Sequence, residues 1–471
     1  MTQPNMRLVM ASFCLLLACC NDDDGDVVPP APLPRNSAGG PAREPGGAPN
    51  AAPTYWSDMA PLFAEHCLRC HSDGGIAPFR LDDYSQAKSF ATLIEHVTRE
   101  RIMPPWSVKS DGSCGQFKDS EALSDAEIEL IARWVKGGAP EGEKRRIARP
   151  AAGPSLVGAL EYKTPDFLPQ IEGGELAEAD EYRCFALDAP SDPRFITGYE
   201  VVPGTPEIVH HVAVLLVDPN AKTELDDAPE RTNGEQMRVL DDESPDRDGW
   251  SCYGQAGEGL TVEASPVVWA PGQGVVIYPN ESGVALRPEY KIVVQVHYNL
   301  AEEQNRGKRD STTLRLQTAK QVENVGIFVL PDEFLDTLFD DNGPTTLPAG
   351  RQSALYQWTA NAEELGIEGI AEAKLYGVMP HMHQLGRKYT MTVRQHADDE
   401  RCAAQVDNWD FHWQRMYFYE EPWTIRADSE ISVTCDFDTS SVTEPVKPGW
   451  GTRNEMCLAT LYFTVPASMF H

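Results

Sequence analysis

The sequence predicts a multidomain protein, a small all-α domain followed by two all-β sandwich domains. Three observations carry that reading. Between residues 54 and 145, stretches of helical apolar spacing flank a Cys-x-x-Cys-His motif. From about residue 155 the pattern changes to short alternating runs divided by Pro, Gly, Asn and Asp, such as Lys291 to Tyr298 and Lys388 to Val393, as β-sandwiches require. A chain of 471 residues, with 37 Pro, 36 Gly and 41% hydrophobic residues, is long enough for about three domains that each bury a core. Its 40 Lys and Arg against 72 Asp and Glu leave a net charge of −32, which argues against a nucleic-acid partner.

The N-terminus reads as an address. Arg7 precedes an apolar run, Leu8 to Ala18, too short to span a bilayer alone and suited to a signal peptide over residues 1–18. The ending Leu16-Leu17-Ala18-Cys19 resembles a bacterial lipobox, which implies cleavage before Cys19 and lipid on its sulfur; an ordinary cleaved signal or a buried helix is the plainer alternative, and Cys20 is a second, poorer candidate. Residues 19–53 read as a tether: eight Pro and four Gly fall within 27–53, a composition that builds no core. The expected location is outside the cytoplasm, lipid-anchored in the bacterial cell envelope at the outer membrane or periplasmic face, where disulfides are permitted.

The first domain spans 54–145. Cys67-Leu68-Arg69-Cys70-His71 is the spacing by which two thiols take the vinyl groups of one covalent haem c and the next imidazole becomes an axial ligand. Half a zinc site or a redox pair are the other readings, but no second Cys-x-x-Cys exists in the chain. The sixth ligand expected is Met103, in Arg101-Ile102-Met103-Pro104-Pro105-Trp106; if Met103 is core instead, His66, His96 or Met59 compete. Helices are expected over Tyr55 to Cys67, Ser85 to Arg101 and Ser124 to Lys136, the last opened by a capping box at Ser124 and Glu127 and stopped by Gly137-Gly138. This portion resembles a small class I-type cytochrome c.

Two sandwiches are expected at 155–303 and 304–471, and six of the 11 His fall in them as candidates. His210 and His211 are adjacent in one strand; His297 closes another; His381 and His383 are two apart, so that on a strand both rings project from one face. Met456 supplies a soft thioether, which with two imidazoles suits copper cycling through Cu(I), while three imidazoles suit copper or zinc. His412, in the aromatic run Trp409 to Gln414, reads as core or cleft wall, Trp423 and Trp450 as core, and the acidic clusters as solvated loops.

In the order His-His, His, His-x-His, Met, the chain resembles the copper type II, ascorbate-dependent monooxygenases, the family of peptidylglycine α-hydroxylating and dopamine β-monooxygenases. The resemblance covers about 175–466 and rests on Ile208-Val209-His210-His211, Trp269-Ala270-Pro271-Gly272, Gln295-Val296-His297-Tyr298, His381-Met382-His383-Gln384-Leu385-Gly386 and Glu455-Met456-Cys457. It implies two jelly-roll-like sandwiches with one copper each across an open cleft. His210, His211 and His297 would hold the electron-supplying copper; His381, His383 and Met456 would hold the copper at which O2 and a small organic substrate react. The family pairs the positions of Cys435 and Cys457, and Cys184 with Cys252 looks like another family disulfide. Cys114 and Cys402 then either join, locking the haem domain onto the second sandwich, or stay free thiols.

The activity so implied is hydroxylation of a C–H bond, which consumes two electrons and two protons for each O2. The family's donor is ascorbate, and the fused haem offers an envelope redox protein a second entry. Where the peptide-processing relative anchors a carboxylate with Arg and Tyr, this chain has Met379 and Thr460, so a C-terminal glycine substrate is not expected. The runner-up is a non-hydroxylating envelope protein that binds or passes copper and electrons; a structural zinc module is a third reading, against which Met456 argues.

Overall fold

A computed structural model describes residues 52–470 except 74–76, 106–107, 119, 147–153, 172–179, 226–227, 253–255, 272, 301, 332–345, 368–369, 397–398, 412 and 450–453. The expectations for the signal peptide, the lipid-bearing Cys19 and nearly all of the tether lie outside the described residues, as do those for His412 and Trp450.

Helices dominate the first part. A short π-helical turn, Tyr55–Met59, runs into α1 (Ala60–His66), followed by α2 (Tyr84–Ser89), α3 (Ala91–Arg99) and α4 (Asp125–Lys136). The capping box is present: Ser124 accepts from the Glu127 N–H while the Glu127 carboxylate accepts from the Ser124 N–H. Tyr55, Met59, Phe63, Ile94, Ile131 and Trp134 make the core of this unit. The single helix expected over Ser85 to Arg101 is broken at Phe90, whose ring stacks on Phe79 at 4.1 Å, and stops at Arg99.

The expected limits of this domain, 54–145, enclose a segment that packs elsewhere. Val108 pairs with Val406 and Phe117 with Tyr419, and the Lys109 and Lys118 N–H groups donate to the Gln405 and Phe418 carbonyls at 2.8 Å. Val108 and Phe117 are buried in the core of the second sandwich, apolar anchors that the segment inserts there. Cys114 is disulfide-bonded to Cys402 with Cα atoms 4.7 Å apart. Gly115 must be glycine: its φ is +75°, and a Cβ would meet the Ala403 carbonyl at 2.5 Å.

In the first sandwich a five-stranded sheet runs in the order β5 (Trp250–Ser251), β2 (Asp180–Asp188), β9 (Lys291–Asn299), β4 (Val209–Val217), β6 (Ala264–Trp269). It faces β1 (Leu160–Lys163), β10 (Thr313–Ala319), β3 (Arg194–Val202) and β8 (Ser282–Leu286), with β7 (Val276–Ile277) paired to β3. Val212, Val214, Ile292, Val294 and Val296 from one face meet Ile196, Tyr199, Leu314 and Leu316 from the other. A helix, α5 (Asn233–Asp242), lies in the connection between β4 and β5. Because β10 pairs with β1 and β3, the first sandwich runs past the expected boundary at 303/304.

The facing sheet continues without a break into the second sandwich as β11 (Asn324–Val329), β18 (Leu458–Pro466), β13 (Ala373–His381) and β16 (Tyr417–Ile425), joined through the parallel pair β8 and β11. Tyr462 secures the seam: its ring stacks on Tyr278 at 5.2 Å and its hydroxyl is 2.7 Å from Ser282 Oγ. A second layer, β12 (Ala354–Asn361), β17 (Glu430–Phe437), β14 (Gly386–Arg394) and β15 (Glu400–Val406), closes the C-terminal core. Disulfides Cys184–Cys252 and Cys435–Cys457 are formed, one per sandwich, and with Cys114–Cys402 they fit an oxidising compartment. Among the described residues no helix is long and apolar enough to cross a membrane.

Candidate metal centres and the loop between them

The first candidate centre is built on neighbouring strands. Residues 209–217 of β4 and 291–299 of β9 lie side by side, and the register sets His211 opposite His297, with a bulge that brings in His210. Nδ1 of His297 is 3.2 Å from Nδ1 of His210 and 3.0 Å from Nδ1 of His211. One ring nitrogen either donates or accepts, so it cannot satisfy two neighbours in opposite roles. Three imidazole nitrogens turned toward one point fit a single metal ion, and ligand atoms of all three residues lie within 4.8 Å of one another. His297 is buried, stacked on Tyr182 at 4.0 Å, and its Nε2 stands 3.3 Å from the Asp180 carboxylate without the alignment of a full hydrogen bond. A carboxylate behind a ligand imidazole raises its basicity and holds its orientation.

The second candidate centre is in the other sandwich, at the end of β13. His381 is the last residue of that strand, so the expected strand placement holds for it and not for His383, which lies past the strand end and before the turn at 384–385. The two rings still lie together, centroids 5.1 Å apart. His381 faces Leu458 across β13 and β18, the His383 N–H donates to the Glu455 carboxylate at 3.0 Å, and His383 Nδ1 donates to the Asn454 carbonyl at 2.9 Å. Those partners, Asn454, Glu455 and Leu458, flank Met456 in sequence; Met456 is itself buried, and the Cys435–Cys457 disulfide fixes the residue after it.

Acceptors behind both rings decide their tautomers. His381 Nδ1 donates to Gln414 Oε1, whose amide nitrogen in turn donates to the Phe411 carbonyl at 2.7 Å. With both Nδ1 protons so engaged, each Nε2 carries a lone pair for a ligand. Burial, and then the neighbouring His383, push the His381 pKa down to about 3 against the pull of Gln414, which keeps the ring neutral as a metal ligand must be. Burial lifts the Glu455 carboxyl to about 7, against the N–H groups of Leu385, His383 and Met456 that favour its charge.

One side chain borders both centres, and the sequence shows it only as part of the aromatic run Trp409 to Gln414. The Phe411 ring is 5.8 Å from His210, 6.5 Å from His211 and 5.9 Å from His383. Gln414 and Asp180 were missed as well. Only their placement distinguishes them; the aromatic run Trp409 to Gln414 was the available signal. Met379 and Thr460, the substituted anchor positions, are register partners across β13 and β18.

In the helical unit Cys67 caps α1, and the Cys70 and His71 N–H groups donate back to the Cys67 carbonyl. Cys67 and Cys70 are not joined, and burial raises the Cys67 thiol to about 12, unlike the acidic thiol of a redox pair. His71 Nδ1 donates to the Phe79 carbonyl at 2.9 Å, leaving Nε2 for an axial bond, so the three residues fit a covalent haem. Of the competitors for the sixth position, Met59 is fully buried in the helical core and His66 is engaged by Glu121 and Glu127, while His96 is exposed and Met103 half-buried.

In comparison with known proteins, residues 343–470 match the family model of the copper type II ascorbate-dependent monooxygenase, C-terminal domain. Among individual proteins, DBH-like monooxygenase protein 1 of Gallus gallus is 25% identical over 46% of this chain and 36% of its own length. Tyramine beta-hydroxylase of Caenorhabditis briggsae is 24% identical over 65% of this chain and 48% of its own. The chain thus spans about a third to a half of these relatives. A solved structure of infectious bursal disease virus, Gx strain, aligns with 67% of this chain and 75% of its own at 9% identity, with a TM-score of 0.18 that carries no argument.

Proposed function

We propose that the protein is a copper-dependent monooxygenase that hydroxylates a C–H bond of an organic substrate with O2. The observation that supports this best is the pair of separate histidine clusters bordering one aromatic ring: three imidazoles in one sandwich, and in the other two imidazoles whose hydrogen-bond and strand partners flank the buried Met456. His210, His211 and His297 would hold one copper, His381, His383 and Met456 the second. When bound, copper would supply one-electron redox chemistry and O2 activation, the three-histidine ion as electron store and the methionine-linked ion as reaction centre. The residues behind them hold the rings: Gln414 and the Asn454 carbonyl keep Nε2 of His381 and His383 free of protons, and the Phe411 ring packs near His210 and His383. Met379 and Thr460 offer no charge, which fits a substrate without a carboxylate to anchor.

In the same proposal Cys67, Cys70, His71 and Met103 hold a haem c that lets an envelope redox protein serve beside an ascorbate-like reductant. The chain would be exported and anchored through lipid on Cys19. The test is metal and haem analysis of the purified protein, then a screen of organic compounds for O2 consumption and for a product heavier by one oxygen atom from isotopically labelled O2. Two coppers and a labelled product are expected. Copper uptake with no compound-dependent O2 consumption would overturn hydroxylation and favour plain electron transfer.

A further inference from the structure

One short stretch, whose described residues are 409–411 and 413–416, meets both histidine clusters and reaches toward the haem motif. Its Gln414 accepts from His381 and its Phe411 ring lies against His210, His211 and His383. Its next residue, Arg415, reaches out of the sandwich: the guanidinium is 3.7 Å from the Glu121 carboxylate. Glu121 belongs to the helical unit and is also ion-paired to Arg69, which lies inside Cys67-Leu68-Arg69-Cys70-His71. Both side chains of the Arg415–Glu121 pair are about one-fifth exposed, so water screens it less than a surface pair. Two further contacts hold the same faces together, Asn408 Nδ2 to the Glu100 carbonyl at 3.4 Å and Lys109 to Asp407 at 3.4 Å. The Cys114–Cys402 disulfide ties the approach covalently.

Resting on the haem and copper reading above, we propose that Arg69–Glu121–Arg415 is a positioning junction through which reducing equivalents enter the copper pair on the His381 side. Among the contacts described, the three-histidine centre meets this loop at the Phe411 ring, whereas Gln414, covalently next to Arg415, is hydrogen-bonded to His381 itself. Glu121 and Arg415 are positioning residues; neither contacts a candidate ligand directly among the contacts described.

The test uses the full-length protein with haem and copper, oxidised and free of O2, mixed with one equivalent of a fast one-electron reductant. The haem spectrum then reports one electron leaving ferrous haem, which becomes ferric, as one cupric ion becomes cuprous and its paramagnetic resonance signal is lost. Glu121→Gln and Arg415→Gln should each slow that decay by about tenfold, as loss of a positioning contact does, with copper content unchanged and the rate recovered in Arg415→Lys. His381→Ala should abolish the decay. A haem-bearing protein whose decay is the same in both charge-neutral variants, or whose decay survives in His381→Ala, would overturn the junction alone. A chain that carries no covalent haem would overturn the haem reading and the junction with it.

Discussion

Gln414 accepts the Nδ1 proton of His381, so a residue distant in sequence decides which nitrogen of that ring faces the second candidate centre. The same amide donates to the Phe411 carbonyl, which fixes its own orientation. Because the ring is neutral and buried, an unsatisfied N–H would be costly there and the imidazole would turn to find a partner.

Gln414→Leu should therefore weaken copper at that centre by roughly 10–100-fold, the usual cost of losing the partner behind a metal-bound histidine. Titration with copper should then show one tight and one weak equivalent, since the centre of His210, His211 and His297 shares no hydrogen bond with Gln414 among those described. Two tight equivalents in the variant would show that His381 needs no such support.

Much of this was legible from residue pattern. The strand carrying His297 runs over 291–299 where alternation placed 291–298, and the helix opened by Ser124 ends at Lys136 as its cap and glycines required. What pattern did not show was contact across sequence. Val108 and Phe117 look like apolar residues of a helical unit, yet they fill the core of a sandwich about 300 residues on, because pairing partners are set by tertiary register and not by spacing. Phe411 was read with a run of aromatics as wall; nothing in its neighbours says that one ring would border histidines from both sandwiches.

The helical unit should carry its own pH signature. His66 Nε2 lies 3.3 Å from the Glu127 carboxylate. Burial disfavours the His66 cation, but the Glu127 carboxylate close by outweighs it and raises the pKa; His66 in return, despite partial burial and with help from Ser124, draws Glu127 down to about 2. The raised histidine stabilises the fold below about pH 6.5 and loses that contribution as pH rises through its folded value; the lowered carboxyl stabilises above about pH 4.5 and loses it toward pH 2. Thermal unfolding should thus show the pair's gain between about pH 4.5 and 6.5, and Glu127→Gln should flatten it. An unchanged profile in that variant would rule out the pair as the source.

Cys435 and Cys457 join β17 to the residue after Met456. Replacing both by Ala should cost about 2–4 kcal/mol of stability by the usual effect of opening such a loop, read as a lower midpoint in denaturant. Because the link also restrains Met456, copper at the second centre should weaken while that at the three-histidine centre stays. Equal weakening at both would point to general loosening of the fold.

Phe411 borders both centres and belongs to the loop that bears Gln414, so its removal tests whether the ring matters for what the centres do together. Its distances of 5.8 Å to His210 and 5.9 Å to His383 leave no room for a layer of water along that line. Phe411→Ala deletes the ring but none of the candidate ligands, so both coppers should still bind. Water then reaches the imidazoles from the side the ring covered, and partly reduced oxygen can escape before it meets substrate, the side reaction that a closed site prevents. The expected result is unchanged copper content with less product per O2 consumed and hydrogen peroxide making up the difference, while Phe411→Leu keeps most of the coupling. A ratio of product to O2 that is the same in the wild-type protein and in Phe411→Ala would mean that the ring packs against the histidines without guarding them.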